Sequence, residues 1–179
     1  MTNRKKLVTE MGRIDRDAFA QSQKLPLVVV LDNVRSLHNV GSVFRTSDAF
    51  RVECIMLCGI TATPPSAEIH KTALGAEDVV DWKYYESTMD AVAELRSQGY
   101  RVYSIELCQG SIALQDFVTA PGERYAVVLG NEVKGVQQDV VDASDGAIEI
   151  PQFGTKHSLN VSVTAGMVIW EFAKKLGLV

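Results

Sequence analysis

Leu25-Pro26-Leu27-Val28-Val29-Val30-Leu31 is a continuous apolar run, mostly of branched side chains, set between Lys24 and Asp32. A strand with one wet face alternates apolar and polar residues. A run without alternation is what a strand buried on both faces shows. Outward from it, Cys54–Cys58, Tyr100–Leu107, Tyr125–Leu129 and Ala147–Ile150 read the same way, with a short strand around Val79–Trp82. Helical patterns fill the gaps. One covers Ser42–Phe50, opening behind Asn39 and Gly41. A second covers Ser87–Gln98, with Met89, Val92, Ala93 and Leu95 on one stripe and a stop at Gly99. Val133–Ala143 and Val161–Leu176 are two more. Strands alternating with helices imply an α/β fold: a single domain with a mostly parallel sheet and helices on both faces.

A chain of 179 residues suits one such domain with a sizeable core. Residues 1–24, polar and charged, read as an N-terminal helical extension, and 25–179 as the domain itself. No apolar run reaches membrane-spanning length, and Met1–Lys6 leads into mixed charge rather than a signal sequence, so the expected location is cytoplasmic. Cys54 and Cys58 fall inside a strand, where packed thiols are expected. With three scattered histidines, no metal site is expected. The net charge of −4 argues against a protein that grips nucleic acid by charge alone. Distribution matters more. Acidic residues cluster at Glu77–Glu94 and Asp139–Glu149, whereas Arg4–Arg16, Arg35, Arg45, Arg51, Lys134 and Lys156 lie elsewhere, which allows a local positive face.

In a parallel sheet ligands gather beyond the carboxyl ends of the strands. Three loops there combine glycine with amide, basic or acidic residues: Asp32–Thr46, Gly130–Val136 and Ile150–Val161. The familiar nucleotide fingerprints do not fit them. No G-x-G-x-x-G follows the first strand. Gly130–Gly135 has P-loop glycine spacing, but Val136 and Gln137 stand where Lys and Ser/Thr should. A hydrolase built on Ser158, His157 and Asp32 lacks a nucleophile elbow. In the third loop Pro151 favours an extended Ile150, Gly154 permits a bend, and Ser158 and Asn160 stand where a helix needs acceptors.

Taken in order, these loops resemble the three motifs of the SpoU (TrmH-like) branch of the SPOUT RNA methyltransferases. Asn39-Val40-Gly41-Ser42-Val43-Phe44-Arg45-Thr46 is similar to the first, an N-x-G-x-x-x-R-T pattern. Leu129–Gly135 is similar to the second and Ile150–Val161 to the third. The resemblance covers roughly residues 25–176, and three motifs in sequence are far more specific than any one. One departure is Gln152, where the third motif usually has Met after the proline.

The resemblance implies a C-terminal deep trefoil knot that binds S-adenosylmethionine, and a homodimer paired around it. It places Ile105, Leu107, Leu129, Gly130, Ile150 and Leu159 at the cofactor, with no metal. It implies methyl transfer to a ribose 2′-hydroxyl of tRNA or rRNA, and carries the catalytic positions onto Asn39, Arg45, Glu132, Ser158 and Asn160. For Arg45 a guanidinium with a pKa above about 12 is a costly base, so phosphate binding and oxyanion stabilisation are expected instead. Asn39 would orient Arg45 or the ribose, and Glu132 is the obvious carboxylate partner for an arginine. Singly, each has a plain structural reading: Asn39 a helix N-cap, Arg45 a surface residue, Glu132 a first-turn carboxylate near a helix dipole. His38 and His157 are expected to face RNA or solvent. The stripe Val161, Val163, Met167, Val168, Trp170 and Phe172 is expected in core and dimer contact. Two alternatives stay open: a SAM- and RNA-binding module without catalysis, and a methyltransferase acting on a small nucleoside-like molecule. No extra RNA-binding domain is legible in residues 1–24, a slight lean towards tRNA.

Overall fold

The run at residues 25–31 forms β1 (Leu25–Asp32), the middle of a seven-stranded sheet in a computed structural model that describes residues 3–179. Met1 and Thr2, the start of the expected extension, lie outside the described residues. The other strands are β2 (Val52–Cys58), β3 (Trp82–Tyr85), β4 (Tyr100–Ile105), β5 (Ile112–Ala113), β6 (Arg124–Leu129) and β7 (Gly146–Glu149). They lie in the order β3-β2-β1-β6-β4-β7-β5 with every pairing parallel. Period-two geometry explains the unbroken apolar run of β1. Leu27, Val29 and Leu31 enter the core on one face, and Val28 and Val30 enter that on the other. Pro26 has no amide to donate, and the β1–β2 register is irregular between Leu25 and Val28.

Helices α2 (Leu37–Ala49), α3 (Ala67–Ala73) and α6 (Val161–Lys175) cover the first face. Val40, Val43 and Phe44 come from α2, Ile69 from α3, and Ala165, Val168, Ile169 and Phe172 from α6. Helices α4 (Thr88–Ser97) and α5 (Gln138–Ala143) cover the second with Ala91, Val92, Leu95 and Val140. Before β1, α1 (Arg16–Gln21) buries Phe19, and Arg16 reaches Asp78 at 3.1 Å. Cys54 and Cys58 are free thiols within β2, both pushed up to about 12 by burial.

Several boundaries differ from the sequence reading. Helix α2 begins five residues before Ser42, because the Ser36 hydroxyl accepts from the Asn39 amide and caps it. Asn39 is therefore inside the helix and is not its N-cap. The helix expected over Val133–Ala143 shrinks to α5, since residues 131–135 close a tight turn instead. Strand β4 stops at Ile105, and the short strand near Val79–Trp82 is β3, three residues later. Both α3 and β5 went unread; seven and two residues leave little periodicity to detect. Gly41 has a packing purpose: a Cβ there would lie 2.2 Å from the Ile69 carbonyl and the Thr72 hydroxyl, so α2 and α3 cross at this point without a side chain between them.

Candidate active site

Parallel pairing puts the carboxyl ends of β1, β4, β6 and β7 on one edge, and a cavity of about 440 Å³ opens there. Ile105 and Leu107 come from the end of β4, and Leu129 and Gly130 from that of β6. Ile148 and Ile150 come from β7 and its exit, and His157, Ser158 and Leu159 from the approach to α6. All six residues expected at a cofactor line this cavity. Leu107, just past β4, is 54% exposed. Gln152 also lines it.

The wall after β6 is a turn held by side-chain hydrogen bonds. The Asn131 side-chain oxygen accepts from the Val133 and Lys134 amides at 2.9 and 3.1 Å, and its amide nitrogen donates to the Asn33 carbonyl at 2.7 Å. The Asn131 and Gly135 backbones pair in both directions. Gly130 makes this closure possible, since a Cβ there would lie 2.1 Å from the Gly135 carbonyl carbon and the Val136 nitrogen. Gly130→Ala must therefore displace backbone at the cavity wall. The expected outcome is at least about tenfold weaker cofactor binding by calorimetry, since about 1.4 kcal/mol of misfit suffices and overpacking costs about 1–3 kcal/mol.

Two carboxylates brace this wall in a role that the sequence reading did not give them, Asp32 having been weighed only for a hydrolase. Glu106 accepts from the Leu107 and Val136 amides, both at 3.0 Å, and so joins the end of β4 to the turn. Asp32, fully buried, accepts from the Thr88 hydroxyl at 2.7 Å and from the Gln137 backbone and side-chain nitrogens at 2.8 Å each. It ties β1 to α4 and to the start of α5. A signal was available in both cases: an acidic residue ending an apolar strand is either solvated or holding loop amides.

Glu132 lies where the loops meet. Its carboxylate accepts from the Arg35 amide at 3.0 Å, the Ser36 amide at 3.1 Å and the Asn39 side-chain nitrogen at 3.0 Å. Burial works against its charge. Hydrogen bonds from Arg35, its own amide, Ser36 and Asn39 outweigh that and hold the carboxyl below the usual range. The Asn39 side-chain oxygen in turn accepts from the Asn160 side-chain nitrogen at 3.2 Å. Asn160 is also the α6 cap, accepting from the Ser162 and Val163 amides at 3.0 and 3.4 Å. The plain capping reading is thus correct for Asn160 and incomplete. A hydrogen-bonded chain, Glu132–Asn39–Asn160, links one residue from each of the three loops.

Of these three only Glu132 lines the cavity, and Ser158 lies on the same wall. Arg45 does not. It is exposed on α2, lines no part of the cavity, and its side chain makes no hydrogen bond or ion pair with Glu132 or any other described residue. The expected Glu132–Arg45 pairing is replaced by Glu132 with Asn39 and two amides, because Asn39 sits in the first turn of α2 facing the cavity loops while Arg45 faces out. His38 is paired with Glu68 at 3.0 Å, away from the site. The α6 stripe divides: Val161, Val168 and Phe172 are buried, whereas Val163, Met167 and Trp170 are exposed.

A family model described as the SpoU rRNA Methylase family matches residues 26–170, and the chain belongs to that family. Relatives agree. The chain is 32% identical over 173 residues to a Staphylococcus haemolyticus protein placed in the TrmH family of tRNA/rRNA methyltransferases, covering 94% of this chain and 68% of that one. It is 30% identical to the tRNA (guanosine(18)-2′-O)-methyltransferase of Aquifex aeolicus over 87% of this chain and 72% of the relative. Among solved structures, an AdoMet-bound rRNA methyltransferase from Sinorhizobium meliloti superposes with a TM-score of 0.78 at 27% identity, over 90% of this chain and 60% of that one. No helix among the described residues is long and apolar enough to cross a membrane.

Proposed function

We propose that this chain transfers a methyl group from S-adenosylmethionine to a ribose 2′-hydroxyl of tRNA or rRNA, acting as a homodimer in the cytoplasm. The observation that carries this reading is the chain Glu132–Asn39–Asn160, which draws three loops distant in sequence to the rim of one cavity. The cavity suits the cofactor. Its volume falls within the range of about 300–1,000 Å³ usual for small-molecule sites. Ile105, Leu107, Leu129, Ile150 and Leu159 offer apolar walls for an adenine, and Gly130 allows close approach of backbone. When bound, S-adenosylmethionine would supply a methyl already activated on its sulfonium for transfer to the ribose hydroxyl.

Glu132 is not poised as the base. A base works best with a pKa near the operating pH, and this carboxyl is shifted the other way. Its part is to fix Asn39, which with Asn160 and Ser158 orients the ribose. Arg45 binds the adjacent phosphate and stabilises oxyanion charge. It projects from α2, whose end packs on α6 through Phe50 and Trp170 with ring centroids 5.7 Å apart. Val163, Met167 and Trp170 on α6 form the apolar face proposed to pair two subunits; in that proposed pair Arg45 serves the partner's cavity. The proposal includes the family's trefoil knot. In support, the chain leaving β7 lines the cavity beside the loops after β4 and β6, then turns back to α6, which packs on α2.

The test supplies methyl-labelled S-adenosylmethionine and total cellular RNA to the purified protein, then maps 2′-O-methyl groups. Labelled ribose at defined nucleotides is expected. Cofactor binding without transfer would leave the non-catalytic module, and transfer to free nucleosides the small-molecule enzyme.

A further inference from the structure

Phe153 is 97% exposed, the most exposed large apolar side chain among the described residues, and lies on the loop between two residues of the cavity wall. Its neighbour Gln152 lines the wall, as does His157 four residues on. An aromatic ring left in water on a loop is an unspent contact surface. The charges around it say for what. Lys134 lines the same cavity, Lys156 adjoins His157, and Arg35 starts the loop that Glu132 holds. None of these three cations has a carboxylate within ion-pair distance among the described residues. Elsewhere Lys71, Lys83, Arg124 and Lys174 are each paired with a glutamate, while Lys24, Arg45 and Arg51, also away from the cavity, have no ion-pair partner among the described residues. The carboxylates near the mouth are engaged inward, Glu132 and Glu106 with backbone amides and Glu149 with Ser111. The mouth therefore offers free cations around a bare aromatic face.

We propose that Phe153 is a stacking platform for an unpaired base flanking the methyl acceptor, with Lys156 and Lys134 on the neighbouring phosphates, so that the site selects single-stranded or looped RNA over duplex. This rests on the reading of the chain as an RNA methyltransferase. Stacking on an aromatic side chain needs a base released from its helix, and phosphates on either side need cations without internal partners. Paired bases expose only their edges, and Phe153 has no group to read them.

Anisotropy with a labelled single-stranded RNA 12-mer carrying one 2-aminopurine, and with the same strand in a duplex, tests the proposal. Phe153→Ala is expected to weaken single-strand binding about tenfold and abolish the 2-aminopurine stacking signal, while Phe153→Trp restores both. Duplex binding should change less than twofold. Lys156→Ala should lower the slope of log affinity against log salt by about one, which Phe153→Ala leaves alone. Equal single-strand affinity in Phe153→Ala, or an equal loss on duplex, overturns the proposal. So does a Phe153→Ala protein that sediments as a smaller species, which would give the ring to a second copy of the chain. Methyl transfer by the wild type to total RNA is measured alongside. If transfer occurs and Phe153→Ala leaves the KM for RNA unchanged, this inference alone fails. If the wild type transfers to no RNA, the functional reading beneath it fails.

Discussion

In Arg45→Ala, methyl transfer is expected to fall by about a hundredfold to a thousandfold, the usual cost of removing one group aimed at developing oxyanion charge. The dissociation constant for S-adenosylmethionine is expected to stay within about twofold. The first half rests on the role proposed for Arg45 at the acceptor phosphate, and the second follows from the position of the side chain. Arg45 lines no part of the cavity and holds no described residue, so the cofactor walls and the fold have no stake in it. An exposed substitution of this kind changes stability by no more than about 0.5 kcal/mol. Arg45→Lys should recover only part of the rate, because an ammonium keeps the charge and loses the planar fork that meets a phosphate with two donors. Single-turnover rates and cofactor titrations on the same preparations separate the effects. Unchanged turnover would remove Arg45 from the mechanism. An equal loss in cofactor affinity would place it in the cofactor site instead.

What the sequence disclosed about this site depended on whether a residue acts through its neighbours or through distant chain. β1 was legible because burial on both faces leaves no other pattern for Leu25–Leu31. The cofactor wall was legible because strand ends in a parallel sheet share an edge, and all six expected residues are on it. The partner of Glu132 was not. Arginine is the obvious counter-charge in a list of residues, but the start of α2 depends on a Ser36 cap, and moving that start by five residues puts Asn39 and two loop amides at the carboxylate. The bracing roles of Asp32 and Glu106 were missed for a related reason. Their partners, Gln137 and Val136, lie 105 and 30 residues away, so an acid ending an apolar strand hints at bracing without naming the amides it holds. Gly41 belongs to the same class. It stands within the first motif, yet its closest constraint is the crossing with α3, an element too short to read.

Replacing Glu132 should do the widest damage of any single change at the site, and Glu132→Gln is the cleanest form of it. The shape is kept. The carboxylate, however, takes two donors at one oxygen, from Ser36 and Asn39, and one at the other, from Arg35. A glutamine has one acceptor to offer, so its amide nitrogen must face an amide hydrogen on one side. If it faces Arg35, that amide is orphaned. If it faces Asn39, the Asn39 side chain must turn over and present its nitrogen to that of Asn160, which breaks the bond between the first and third loops. The first outcome frees an amide at an exposed position, where water can satisfy it; the second leaves half-buried donors unsatisfied, at a cost of about 1–3 kcal/mol. Methyl transfer should fall further than stability, because the ribose-orienting Asn39 and Asn160 lose their mutual alignment. The pH dependence identifies the cause. The folded-state pKa of Glu132 is lowered from an ordinary 4.5, so its stabilisation is fully present above that value and is lost as pH falls through the lowered folded value. The difference in stability between wild type and Glu132→Gln should therefore be flat above about pH 5 and shrink steadily below pH 4.5. Denaturant midpoints measured between pH 3 and pH 7 would show it. A gap that stays constant down the acid limb would mean that the charge of Glu132 contributes nothing, and that its shape alone holds the three loops together.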